Sequence, residues 1–404
     1  MGMLDLFRGS QEERIAKRFI KALREVGEAR RMEYLPAERS IAVLDEQGVR
    51  QQLAFLGNLQ REVVAAPEPE HEAIYRRYAS GVVGQAQRGG ERDYAGIRPT
   101  LRLILKDESY PAYIALSTMV DFPDGKRSPL VFEPVAGGII ACCVEDAPHS
   151  LHFVTENEVA LWGVNAQVAL ADARSNVCAL PCEVNAVDRA HYVFADDSFQ
   201  AARLVNVELF RDRPVAGSWV AVVPDRNTFF LTASEDEEGL AGLARLAEQQ
   251  LAAGERLISG MPLVMRNGRW EVFEPPKAVR LAFDNVARRF AASRWADYKA
   301  VLEKDLAARD EDIYVASLTV YEENETGVCW SMVVWSKDVD TVLTVADRVA
   351  FVDADTKQSR MALWADVLRV MGLRMEKLEG LPERYRVKVF PSAEDMIGMG
   401  TQEA

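Results

Sequence analysis

The clearest structural signal in the chain is Leu263-Val264-Met265-Arg266-Asn267-Gly268-Arg269-Trp270-Glu271-Val272-Phe273. The Asn-Gly dipeptide stands between two short apolar runs, and it favours the two-residue turn of a β-hairpin because both residues tolerate positive φ. A second hairpin is predicted where Ser218–Val223 and Phe229–Thr232 flank the turn residues of Pro224–Thr228. We therefore expect antiparallel sheet in this part of the chain.

Helical patterns surround these hairpins. Glu235–Glu238 places four acids ahead of a Leu/Ala-rich helix predicted over Gly239–Ala252, because carboxylates favour the positive end of a helix. Near the N-terminus, Ser10-Gln11-Glu12-Glu13 has the capping-box form and opens an amphipathic helix. Helices are also predicted over Glu156–Leu161, Asn165–Cys178 and Ser198–Phe210.

The order of these elements predicts an α+β fold of two or three lobes, each an antiparallel sheet packed by helices. Residues 10–87 and 278–371 each have the pattern of a helix, three strands and a helix, so such a unit is expected at both ends. The polar segment Gln87–Arg92 and Pro275-Pro276 suggest boundaries that give three domains, 1–90, 91–275 and 276–404. Leu101–Val144 is predicted to be extended, and the tail after Met396 to be loose.

Composition limits the classes of partner. The chain has 404 residues, 49% of them hydrophobic and 27% charged, which is typical of a folded globular protein. Its net charge of −14 repels phosphate backbones, so neither nucleic acid nor an anionic membrane is an expected partner. Because neither a secretory signal nor a membrane span is recognisable, we expect a cytoplasmic location.

Five ordered motifs carry a resemblance to a known family. They are Phe55-Leu56-Gly57-Asn58-Leu59, Val154-Thr155-Glu156, Asp196-Asp197-Ser198-Phe199-Gln200-Ala201-Ala202-Arg203-Leu204, Val220-Ala221-Val222-Val223-Pro224-Asp225-Arg226-Asn227-Thr228 and Asn267-Gly268-Arg269-Trp270-Glu271-Val272-Phe273-Glu274-Pro275. Together they resemble the YtpQ-like proteins, a bacterial family of unknown function, over residues 10–275. The resemblance implies no reaction, cofactor or catalytic residue, and residues 276–404 lie outside it.

Candidate catalytic and metal-binding groups are few. Cys178 and Cys182 could lie on one helix face and bind a metal ion together with ligands from elsewhere in the chain. Pro181 interrupts that helix, so no metal is expected. The further donors considered are Cys142, Cys143, His149 and His152. The acid pair Asp196-Asp197 is interpreted as an N-cap, and His191 as a structural strand residue. Gly137-Gly138 lacks the rest of a phosphate-binding loop, so no cofactor is expected, and the catalytic residues stay unassigned.

The remaining candidates are binding surfaces. Trp330 and Trp335 lie on opposite faces of one predicted strand, and either face is core or a docking site. Asp225, Arg226 and Trp270 lie at hairpins that could form another surface. The leading hypothesis is a non-catalytic protein that binds another protein as an adaptor or chaperone-like module. The alternatives are a hydrolase using paired carboxylates or zinc, and a regulatory small-molecule binder, which predicts a pocket with convergent polar groups.

Overall fold

The computed structural model describes residues 11–86, 93–122, 128–147, 150–187, 189–195, 197–211, 214–253 and 257–403. Within these residues the α+β prediction is confirmed, since helices pack on several sheets that are mainly antiparallel. The chain divides into two compact units, one of Met1–Leu101 with Val144–Phe153 and one of Arg102–Cys143 with Val154–Ala404. The three domains proposed from the sequence remain a prediction.

The first unit contains the predicted helix, three strands and helix of residues 10–87. Its three strands form an antiparallel sheet in the order β1-β2-β3, where Ile41 of the central strand pairs with Tyr34 and Ala54. Phe19 and Leu23 of the first helix are buried in the core of this unit. A helix that the sequence did not predict follows the sheet directly. The elements are α1 Gln11–Glu25, β1 Arg31–Leu35, β2 Ser40–Leu44, β3 Arg50–Phe55, α2 Gly57–Ala65, α3 His71–Ala86 and α4 Tyr94–Ile97.

The next part of the chain builds a six-stranded sheet in the order β13-β12-β10-β11-β9-β8. Both predicted hairpins are confirmed, and Asn267 and Gly268 have φ values of 50° and 75°, as the predicted tight turn requires. The elements are β4 Leu101–Asp107, α5 Tyr110–Asp121, β5 Phe132–Ala136, β6 Ile139–Ala147, β7 Ser150–Phe153, α6 Glu156–Leu161, α7 Ala166–Cys178, β8 Glu183–Val187, β9 Ala190–Phe194, α8 Glu208–Arg211, β10 Trp219–Asp225, β11 Thr228–Ala233, α9 Glu237–Ala253, β12 Leu263–Arg266 and β13 Arg269–Val272.

The C-terminal part differs from the predicted helix, three strands and helix. Six strands lie between its first two helices, and they belong to two sheets with orders β15-β16-β18-β19-β22 and β14-β17-β21-β20. The pairs β14–β17 and β16–β18 are parallel. The elements are α10 Lys277–Ala308, β14 Tyr314–Val315, β15 Thr319–Glu322, β16 Cys329–Ser336, β17 Thr341–Thr344, β18 Arg348–Asp353, β19 Gln358–Leu363, α11 Trp364–Met371, β20 Glu376–Leu378, β21 Arg384–Val387, α12 Ala393–Gly398 and β22 Gln402–Glu403.

Three local predictions are corrected. Tyr110–Asp121 is a helix, not extended chain, because Pro111 lies in its first turn, where a missing N–H costs nothing. Ser198–Phe210 is not one helix, since all residues of its 3₁₀ segment Ala201–Val205 are buried and a surface helix buries only one face. The tail from Met396 to Glu403 is ordered, because β22 pairs with β19.

The long helix α10 connects two cores. Its first half packs against the six-stranded sheet, and its second half forms a separate cluster with β14 and β17. Residues of α5, including Tyr113 and Leu116, pack against that second cluster. The middle of α10 therefore lies beside the start of α5, and a cleft opens between them. None of the described helices has both the length and the apolar character needed to cross a membrane.

Candidate functional site

A cleft of about 220 Å³ lies between the end of β4, the start of α5 and the middle of α10. We refer to it as the β4–α10 cleft. Its polar lining residues are Lys106, Asp107, Ser109, Tyr110 and Tyr113 on one side, and Ser293, Arg294, Asp297 and Tyr298 on the other. Cations, carboxylates and hydroxyl groups therefore converge on one small volume, which is the usual composition of a ligand or active site.

The first wall is built by the turn from β4 into α5. Asp107 is the last residue of the buried strand β4 and is only 8% exposed. Its Oδ1 accepts hydrogen bonds from the Ser109 backbone N–H, at 3.0 Å, and from the Ser109 hydroxyl. These bonds fix the turn from β4 into α5. Tyr110 and Tyr113 lie one helical turn apart at the start of α5, with ring centroids 6.1 Å apart and an angle of 25° between the rings. The Lys106 Nζ lies 4.1 Å from the centre of the Tyr110 ring.

The second wall is one face of α10. Ser293, Arg294, Asp297 and Tyr298 share this face because residues three and four apart are neighbours on a helix. Tyr298 is 4% exposed and stacks on Trp295, whose indole N–H donates a 2.7 Å hydrogen bond to the Ala316 carbonyl. This wall is therefore anchored to the neighbouring strands and does not depend on a ligand for its position.

The charges on the second wall are not used by the scaffold. Within the described residues, neither Arg294 nor Asp297 makes a hydrogen bond or an ion pair. Burial in the cleft, followed by the neighbouring Asp107 carboxylate, raises the pKa of Asp297 above its ordinary value, although the residue has an exposed side. Burial also raises the pKa of Tyr113 and Tyr298, so these phenols are protonated hydrogen-bond donors at neutral pH.

The β4–α10 cleft contains two carboxyl groups, those of Asp107 and Asp297. Asp107 and Asp297 interact electrostatically, and a carboxyl group with a raised pKa is suited to act as a general acid. Cys142 and Cys143 are poor nucleophiles, because burial raises the pKa of both thiols to about 12. In the described part of the chain, no group of three or more His, Cys, Asp or Glu residues is arranged to hold a metal ion.

Three of the five residues predicted to bind a partner are buried. Trp335 is 1% exposed and belongs to the core between the two C-terminal sheets. Trp270 is 7% exposed, and its indole N–H donates a 2.8 Å hydrogen bond to the Leu204 carbonyl. Asp225 is 5% exposed and accepts a hydrogen bond from the Asn227 N–H, so its carboxylate fixes the hairpin turn. The side chains of these three residues hold the scaffold together.

The other two predicted residues, Arg226 and Trp330, are half-buried. Trp330 lies on the face of β16 opposite to Trp335, where its ring stacks on Tyr321 at 4.7 Å and the Arg348 guanidinium lies 4.4 Å from its centre. Every second residue of β16 is buried and the residues between them are half-buried. We call this half-buried side the outer face of the five-stranded sheet.

The remaining candidate residues from the sequence that the structure describes make contacts within the scaffold. Asp197 accepts a 2.8 Å hydrogen bond from the Phe199 N–H and pairs with Arg203, so it stabilises a turn. His191 lies in β9, with its ring 5.3 Å from that of Trp219 in an edge-to-face contact. His149 and Asp196 lie outside the described residues.

The residues of the β4–α10 cleft were not identified from the sequence. The only available signals were Lys106-Asp107-Glu108-Ser109-Tyr110-Pro111 after an apolar strand and Arg294 with Asp297 at helical spacing. Comparisons with protein-family models, with curated proteins and with solved structures gave no match. The resemblance to the YtpQ-like family is therefore still a prediction.

Proposed function

We propose that this protein binds a small polar molecule in the β4–α10 cleft. The observation that carries the proposal is that Arg294 and Asp297, one turn apart on α10, line the cleft without a hydrogen-bond or ion-pair partner in the described part of the chain. Arg294 is half-buried and Asp297 is exposed, so both charged groups are accessible to a ligand that enters the cleft. A bound ligand would supply the missing partners.

The direction of the Asp297 pKa supports the same interpretation. The half-buried Asp347 shows how the scaffold uses a carboxylate, since it accepts hydrogen bonds from Ser331 and Arg288. Burial alone would raise the pKa of Asp347, but these partners lower it overall. Asp297 has a raised pKa and no such partner, and perturbed groups of this kind are concentrated at functional sites.

The size of the cleft limits the ligand. Pockets for drug-sized ligands have volumes of about 300–1,000 Å³, so a cleft of about 220 Å³ suits a smaller molecule. The two stacked tyrosine rings offer an apolar surface, and the surrounding charges and hydroxyl groups offer polar contacts. We therefore propose a ligand of metabolite size.

The test is a thermal-shift screen with four compound classes: amino acids, short carboxylic acids, monosaccharides and nucleosides. It compares the wild type with the cleft variant Arg294→Gln/Asp297→Asn and with the control variant Asp284→Asn/Lys304→Gln. The control makes the same charge changes at exposed positions of the same helix. We expect one class to stabilise the wild type and the control but not the cleft variant. Equal stabilisation of all three proteins, or of none, would contradict the proposal.

A second function, binding of another protein, is favoured by the outer face of the five-stranded sheet. Tyr321 and Leu363 on this face are 40% and 54% exposed. Tyr321 pairs with the half-buried Trp330, and Leu363 pairs with Arg348, which in turn pairs with the half-buried Met332. Apolar surface of this kind is typical of protein-binding sites. The variant Trp330→Ser/Met332→Ser should lose a partner that is recovered from native lysate by the wild type and by Tyr314→Ser. Tyr314 is a suitable control because it is 49% exposed and lies on the other C-terminal sheet.

A further inference from the structure

We infer that the ligand of the β4–α10 cleft is a small zwitterion, whose anionic group binds Arg294 and whose cationic group binds the carboxylates of Asp107 and Asp297. This inference rests on the proposed function and specifies the chemical class of the ligand. It is argued from the placement of charges within the cleft.

The anionic end of the ligand is assigned by Arg294. Its guanidinium has no protein acceptor within the described residues, although it lines a cleft that also contains two carboxylates. A guanidinium group presents paired N–H donors that match a carboxylate in a bidentate arrangement. The hydroxyl groups of Ser293 and Tyr298 line the cleft on the same face of α10 and can donate to the same anion.

The cationic end is assigned by the two carboxyl groups. Burial raises the pKa of Asp297, and the neighbouring Asp107 carboxylate raises it further. A ligand ammonium group placed between them would remove the repulsion and would keep Asp297 ionised. The Lys106 ammonium is held over the ring of Tyr110, 4.1 Å from its centre, so the cleft contains a competing positive charge on its β4 side. The ligand cation is therefore expected nearer to Asp297 than to Lys106.

Charge balance favours a zwitterion over a singly charged ligand. The cleft contains two basic residues, Lys106 and Arg294, and two acidic residues, Asp107 and Asp297, so its formal charge is zero when all four are ionised. A monoanion would leave Asp297 without a partner, and a monocation would leave Arg294 without one. Either case uses only one of the two charged groups that the α10 wall presents to the cleft. A zwitterion pairs with both Arg294 and Asp297 and leaves the formal charge of the cleft at zero.

The test uses isothermal titration calorimetry with free α-amino acids, β-alanine, taurine and glycine betaine. For an amino acid that binds, two matched compounds are added, one lacking the amino group and one lacking the carboxylate. For leucine these are 4-methylpentanoate and 3-methylbutylamine. We expect the zwitterion to bind the wild type at least about tenfold more tightly than either matched compound, because each lost charged contact is worth about one such factor.

Single variants separate the two ends of the ligand. Arg294→Gln should weaken binding of the zwitterion at least about tenfold without changing the affinity for the matched amine, and Asp297→Asn should do the same without changing the affinity for the matched acid. Titration at mildly acidic pH in two buffers of different ionisation enthalpy should also show proton release from the wild type and not from Asp297→Asn, since the ligand cation displaces the proton from this carboxyl group.

Several outcomes would overturn the inference. If no zwitterion binds, or if the matched acid binds the wild type as tightly as the zwitterion, the ligand class is wrong. If the thermal-shift screen identifies a sugar, a nucleoside or a simple acid whose effect depends on Arg294 and Asp297, the proposed function stands and the zwitterion inference fails. The two proposals can therefore fail independently.

Discussion

Replacement of Arg203 by methionine is expected to lower the free energy of unfolding by about 3 kcal/mol. The Arg203 side chain is completely buried. Its two terminal nitrogens lie 2.9 and 2.6 Å from the carboxylate oxygens of Asp197, and one of them also donates to the Pro181 carbonyl at 2.8 Å. Methionine has a similar length, so the main loss is the charge and its hydrogen bonds. This loss of stability is at the lower end of the range observed when a buried ion pair is broken, because the Asp197 side chain is 26% exposed.

The measurement is equilibrium urea unfolding at pH 7, with Arg211→Met as the matched control. Arg211 also forms an arginine–carboxylate ion pair, with Glu208, but both side chains are largely exposed, at 69% and 56%. An exposed pair contributes at most about 1 kcal/mol. A loss in Arg203→Met that is no larger than the loss in Arg211→Met would refute the reasoning.

The pH dependence of the free energy of unfolding gives a second check of the Arg203–Asp197 ion pair. Burial alone would raise the pKa of Asp197, but its bonds to Arg203 and to the Phe199 N–H lower it below the ordinary value. A carboxylate with a lowered folded-state pKa stabilises the protein above its unfolded pKa of about 3.9. That stabilisation is lost as the pH falls towards the folded-state value. The difference in stability between wild type and Arg203→Met should therefore narrow below pH 4, and a difference that stays constant down to pH 3 would contradict the assignment.

Three further predictions concern the core, a close backbone contact and the thiols. Trp335→Ala should lower the free energy of unfolding by about 3–5 kcal/mol in urea titrations, because Trp335 fills the C-terminal core. Gly260→Ala should cost about 1–3 kcal/mol, since a Cβ there would lie 2.5 Å from Val286 Cγ1, whereas Gly84→Ala, which meets nothing within 4 Å in α3, should gain about 0.5–1 kcal/mol. Cys142 should resist alkylation at pH 8 until the protein unfolds, as peptide mass spectrometry can show, because with a pKa of about 12 only about one thiol in ten thousand is ionised.

Much of the fold was predictable because local chemistry and tertiary structure agree. The acidic first turn of α1, the apolar spacing along it and the Asn267-Gly268 turn each specify their element without help from distant residues, whereas the predicted cap residue Ser10 lies outside the described residues. The helix α5 was missed for the opposite reason. Its first two turns contain only apolar and aromatic residues, and none of its residues is fully buried, so this stretch shows no helical periodicity.

The candidate site was not predictable, because its parts meet only in three dimensions. Asp107 and Asp297 belong to a strand and a helix that are far apart in the sequence, and they share a cleft only because α5 turns back against α10. The tryptophans of β16 illustrate a different limit of prediction from sequence. The alternation along β16 correctly separated two faces, but only the structure shows that Trp335 faces the core and Trp330 the outer side.

The pairing of acidic residues distinguishes scaffold from site more reliably than residue type does. Asp197 and Asp347 each pair with an arginine and accept backbone N–H bonds, and their pKa values are lowered overall although burial opposes this. Burial raises the pKa of Asp225, but its hydrogen bond from the Asn227 N–H assigns it to the turn. Asp297 combines a raised pKa with the lack of any hydrogen-bond or ion-pair partner in the described residues. Asp297 lines the cleft and makes no contact that the scaffold uses, so it is the residue whose replacement should separate ligand binding from stability.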